Sequence, residues 1–167
     1  MTYSLPLLEE IMAHFRRTAL TFVVLLAASR SAAPQAELPP RPAAILDNND
    51  TMVLLVRPAY VELQQALASP LTDRQEWAVA YQRAARLAEI ENLLFFRNHA
   101  SAGKPEWTAA VVRARQASAD VAARALIGLR TVKTENVDAI RATFGAVSEG
   151  CNACHHAFAR DAPVIRP

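Results

Sequence analysis

Cys151 and Cys154 are the only cysteines in the chain, and His155 follows the second directly. Two thiols three residues apart lie on one face of a helix. From that face both can add to the two vinyl groups along one edge of a porphyrin. The next residue then offers an imidazole as proximal ligand to the iron. Cys151-Asn152-Ala153-Cys154-His155 is therefore expected to attach one c-type haem covalently, through Cys151 and Cys154, with His155 on the iron. Two other chemistries use the same residue types. A redox C-x-x-C usually opens a helix after a strand, and no strand pattern precedes this one. A zinc site at Cys151, Cys154, His155 and His156 would crowd four ligands into about one and a half turns, where structural zinc usually draws on two separated segments.

Attachment of haem to such a motif occurs outside the bacterial cytoplasm, so an export signal is expected. Arg16 and Arg17 precede a short apolar run, Ala19 to Ala28, followed by the small residues Ser29, Ser31, Ala32, Ala33 and Ala36. The run is shorter than the ~20 residues that span a bilayer and fits a signal-peptide core. Residues 1–36 are read as a signal peptide and the mature chain as periplasmic; an uncleaved anchor is the alternative. Glu9 and Glu10 suit a signal start poorly, which makes Met12 a candidate true start. Cleavage after Ser31 or after Ala36 suits the small residues.

From Glu37 onward the chain keeps 15 of its 18 Lys and Arg and 14 of its 16 Asp and Glu. That near-neutral, mixed balance argues against nucleic-acid binding. The remaining stretch of about 130 residues makes one domain. Glycine is scarce, with four in the chain, alanine is abundant and β-branched runs are few, which reads as all-α. Residues 37–47 form a lead-in carrying Pro39, Pro40 and Pro42; residues 48–163 form the domain; residues 164–167 are a tail.

Four helices are expected. Asn48, Asn49 and Asp50 supply caps for the first, from about Thr51 to Ala68, with Met52, Leu55, Val56, Ala59, Leu63 and Leu67 inward. Pro58 either kinks that helix or marks its true first turn. Thr72 and Gln75 form a capping box for the second, about Asp73 to Arg97, with Trp77, Ala80, Ala84, Leu87 and Leu94 inward. Pro105 opens the third, to about Leu129, with Trp107, Ala110, Ala114, Ala117, Val121 and Leu126 inward. The fourth runs from about Glu135 to Arg160 and carries the motif, with Pro163 ending it. Short loops between helices of this length predict an antiparallel up-down-up-down four-helix bundle.

With that pattern, an export signal and one C-x-x-C-H near the end of the last helix, the chain resembles the class II c-type cytochromes, the cytochrome c′ family. Only the five-residue motif is highly specific; the helix pattern accompanies it over the whole mature chain. The resemblance implies thioethers at Cys151 and Cys154 and a proximal His155. Members often carry an aromatic three residues after the ligand and an Arg four after it. Phe158 matches the first, but Ala159 stands at the second and Arg160 comes one residue late. The resemblance also implies a homodimer through the first two helices in many members.

Bundle topology sets the start of the first helix beside the end of the fourth. The haem pocket is thus expected to draw on Met52, Leu55, Val56 and Ala59, and, from the second and third helices, on Leu93, Leu94, Phe95, Phe96, Arg97 and Trp107. Met52 is the candidate sixth ligand, with a gap-filling core methionine as the alternative. Arg97 either pairs with a haem propionate or caps its helix end. His99 and His156 read as surface histidines, and Trp77 and Trp107 as core aromatics. No Ser/His/Asp set, paired carboxylates or phosphate-binding glycine loop marks an enzyme. Two functions follow: electron transfer with a redox partner protein, or, with an apolar residue over the iron, binding of a small diatomic gas such as nitric oxide or carbon monoxide.

Overall fold

The computed structural model describes residues 44–97, 101, 103–133 and 135–167. The expected signal segment, most of the proline-rich lead-in and His99 lie outside them. All regular structure among the described residues is helical, and it falls into four rods. No helix among them is long and apolar enough to cross a membrane.

The first rod spans residues 48–68 in three pieces. Helix α1 (Asn48–Thr51) is capped by Asp47, one residue ahead of the expected caps, whose carboxylate accepts from Asp50 N at 2.7 Å. A π-turn, Met52–Val56, follows, and α2 (Arg57–Ala68) carries Pro58 in its first turn. Proline has no N–H to give the carbonyl four residues back, and its ring crowds that carbonyl. The wider turn ahead of it, closed from Arg57 N to Met52 O, accommodates the ring without breaking the rod.

Helix α3 (Arg74–Glu91) starts at Asp73, whose carboxylate accepts from Glu76 N at 2.8 Å. Glu76 reaches back to accept from Thr72 N at 2.6 Å. The capping box is therefore Asp73 with Glu76, one residue on from Thr72 and Gln75, because a carboxylate outcompetes a hydroxyl for these donors. The helix tightens into a 3₁₀ turn at Asn92–Phe96 instead of running on as α-helix to Arg97. Leu71, in the turn before α3, adopts a left-handed backbone (φ 56°) and is fully buried. Burying its side chain is worth about 1.5–3 kcal/mol, more than the ~1–2 kcal/mol such a backbone costs.

Helix α4 (Pro105–Thr131) opens on Pro105 and closes on a left-handed Val132. Helix α5 (Glu135–Phe158) ends two residues before the expected Arg160 and well before Pro163.

The rods share one apolar core. The Tyr60 ring on α2 stacks on Phe144 of α5 with centroids 5.1 Å apart. Arg141 of α5 donates to the carbonyls of Leu67 and Ser69 at 3.0 and 3.1 Å, tying the end of α2 to the early turns of α5. Glu62 of α2 pairs with Arg83 and Arg86 of α3, both at 2.6 Å. Trp77 of α3 packs flat where Gly128 of α4 leaves room for it. At Gly150, α5 approaches the α4 backbone so closely that an added Cβ would lie 3.3 Å from Ala114 Cα.

Beyond α5 the chain doubles back. Asn152 holds Ile165 by two hydrogen bonds, accepting from its N–H and donating to its carbonyl, both at 2.8 Å. The Tyr60 hydroxyl donates to the Arg166 carbonyl at 2.8 Å. The tail thus contacts both α2 and α5.

Candidate functional site

Leu94, Trp107, Val111 and Cys154 form a small apolar cluster separate from the main core, with Met52, Phe95, Ala110 and Phe158 packed against it. The 3₁₀ turn swings Leu94 inward, Trp107 enters from the first turn of α4, and its ring meets Phe158 edge-on at 5.3 Å. Met52 touches both this cluster and the main core.

Helix α5 carries all three motif residues, since 151 to 155 lie within its last two turns. Cys154 is buried in the small cluster, while Cys151 is half-buried against the main core. The two are not joined to each other. Burial first, then the neighbouring Glu91 charge and Cys154, push the Cys151 thiol up to about 12; burial also raises Cys154. Both thiols therefore stay protonated at neutral pH, whereas redox-active C-x-x-C pairs depend on a depressed pKa. His155 is half-buried, and its Nδ1 is buried without a hydrogen-bond partner among protein groups. His156, one residue further round, is exposed. Among the described residues no three His, Cys, Asp or Glu side chains converge as metal ligands.

This donor set fits a c-type haem. Two free, protonated thiols stand three residues apart on one helix, an imidazole beside them has a buried nitrogen with nothing to bond, and the surroundings of Cys154 are apolar. Cys151 and Cys154 would hold the group and His155 would meet its iron.

Of the expected pocket residues, Met52, Leu94, Phe95 and Trp107 gather with Cys154. Val56 and Ala59 are buried in the main core, which Cys151 also touches. Leu55 and Leu93 are half-buried. Phe96 is 69% exposed and does not line the cluster, because the tighter 3₁₀ turn rotates it off the inner face. Arg97 is half-buried, with Nε buried and unpartnered.

Glu91 is a site residue that a search for metal ligands and apolar positions does not single out. It follows Trp77, Ala80, Ala84 and Leu87 on the inner stripe of α3, and that register was the available signal. It is 1% exposed, and no hydrogen bond of ordinary geometry reaches either carboxylate oxygen. Burial raises its pKa from 4.5 to about 7, with the Ser118 hydroxyl and the Arg115 guanidinium, both on α4, pulling the other way. Ser118 is itself fully buried, and Val111 was likewise not foreseen as a neighbour of Cys154.

No protein-family model matches the chain, and searches of curated proteins and of solved structures find no match either.

Proposed function

We propose that the chain is an exported, periplasmic electron-transfer protein carrying one haem c, built as an antiparallel up-down-up-down four-helix bundle of the class II cytochrome kind, and not an enzyme. The observation that carries the reading is the pairing of two unjoined thiols, kept neutral by burial, with the orphaned imidazole of His155 on the next residue. The group supplies an iron that changes charge by one when an electron arrives or leaves. Cys151 and Cys154 would fix its edge to α5, and His155 would hold the iron from the same helix. Leu94, Trp107, Val111 and Phe158 exclude water around Cys154, which lowers the local dielectric and so tunes the potential. Met52 is the side chain of the first rod that meets this cluster, and its thioether would be the sixth ligand in this reading. Arg97 is the partner for a propionate: its Nε is buried and has no other bond. A redox protein is the partner, and the exposed Val53 and Leu54 on the first rod are the surface a homodimer would use.

A second reading shares the same cofactor. Val56 and Ala59, buried and apolar on the first rod, would leave the far side of the iron without a ligand and open to nitric oxide or carbon monoxide. Absorption spectra of the purified holoprotein separate the two. A low-spin spectrum indifferent to carbon monoxide supports electron transfer; a high-spin spectrum that shifts with carbon monoxide replaces it with gas binding. A protein without haem overturns both.

A further inference from the structure

Electron transfer through Cys151, Cys154, His155 and Met52 leaves one buried charged group without a task. Glu91 ends α3 on its inner stripe and is almost wholly removed from solvent. A stripe of alanine and leucine would pack better with an apolar residue there, and a buried carboxylate is costly unless paired. Among the described residues it is in no ion pair within 4 Å, although the Arg115 charge and the Ser118 hydroxyl favour its ionised form. No hydrogen bond of ordinary geometry reaches its oxygens, and the Nε of Arg115, the nearby guanidinium, is also buried and unpartnered.

Three side chains interact with Glu91. Helix α4 presents Ser118 and Arg115, and α5 presents Cys151, close enough for the Glu91 charge to act on its thiol. The close approach of Gly150 to Ala114 sets these two helices together at the same level. The π-turn Met52–Val56, which packs against α3, carries only uncharged side chains, and Tyr60 of α2 faces the same Cys151. Of the two titratable groups beside the first thioether position, Tyr60 is raised above its ordinary value of 10 by burial, so the Glu91 carboxyl is the one that titrates near neutral pH.

We infer that Glu91 is a redox-linked proton site: its carboxylate takes up a proton from solvent when the haem attached at Cys151 gains an electron, and returns it on oxidation. The inference rests on the covalent-haem reading. The balance is simple. A one-electron donor protein would supply the electron, a bound haem iron would take it in going from ferric to ferrous, the Glu91 carboxylate would become the carboxylic acid with a solvent proton, and no bond at Cys151 would change. An added negative charge nearby makes the ionised carboxylate harder to keep, so reduction favours its protonated form. Burial has already brought the group to where such coupling operates near neutral pH.

The test is a redox titration of the holoprotein at a series of pH values, for wild type, Glu91→Gln and Glu91→Asp, after intact mass has established that haem is retained. The wild-type potential is expected to fall as pH rises through neutrality, with a limit of a tenfold change in the reduction equilibrium per pH unit. Glu91→Gln, which imitates the protonated acid, is expected to lose this slope and stay on the high-potential side; Glu91→Asp is expected to restore part of it. A reduced-minus-oxidised infrared difference spectrum of the wild type should show a carboxylic-acid C=O band on reduction, which serves if a variant fails to fold. Haem retained with a flat wild-type potential, or a slope unchanged in Glu91→Gln, or no carboxylic-acid band, overturns the inference and leaves the haem reading intact. Absence of haem overturns that reading itself.

Discussion

Glu91→Gln should abolish a pH dependence of stability that the wild-type protein carries. The Glu91 carboxyl titrates near 7 in the folded chain, against 4.5 for the ordinary group, because burial penalises its charge. Between those values the folded chain holds a proton that the unfolded chain has released. Stability therefore decreases as pH rises from about 4.5, and levels off once pH passes about 7, where both states are ionised. With each pH unit worth about 1.4 kcal/mol, the whole effect is about 3 kcal/mol. Full burial of the group leaves little solvent screening to reduce it. The glutamine amide also lacks partners and costs about 1–3 kcal/mol at every pH, so the difference in slope between the two proteins is the quantity to compare. Urea unfolding followed by circular dichroism between about pH 5 and 8 reads it directly. Wild type should lose stability across that range relative to the variant. Parallel curves, or a wild type that gains on the variant with pH, would refute the argument that burial of Glu91 outweighs the help its charge receives from Ser118 and Arg115.

Met52→Ala should convert a low-spin haem spectrum to a high-spin one and open the iron to carbon monoxide; an unchanged spectrum removes Met52 as the sixth ligand. Gly128→Ala should destabilise the fold by about 1–3 kcal/mol in urea unfolding, because the new methyl group would collide with the Trp77 ring, which is fully buried. Asn152→Ala removes both hydrogen bonds to Ile165, and should release the last residues to carboxypeptidase while leaving haem attached, since neither thiol is altered.

That Cys151, Cys154 and His155 share one helix was legible because their spacing is local and lies inside the last apolar-periodic stretch. The rods were legible from apolar stripes such as Trp77, Ala80, Ala84 and Leu87, all buried as their register demands. Departures occurred where one side chain altered the local backbone. Pro58 converts its preceding turn to a π-turn, and the 3₁₀ turn at Asn92–Phe96 changes the period from 3.6 to 3, so Leu94 turns in while Phe96 turns out. Glu91 was hidden by its own polarity, since a charged residue near a helix end reads as solvent-facing until its register is followed. The tail clasp between Asn152 and Ile165 joins side chain to backbone across a turn, and apolar periodicity carries no trace of such a bond.

The most direct test of the central claim is the intact mass of the exported protein after denaturation and removal of all non-covalent ligands. The mature chain is expected to be heavier by one haem, with Cys151 and Cys154 both blocked to thiol reagents. A chain of unmodified mass with two reactive thiols would contradict it.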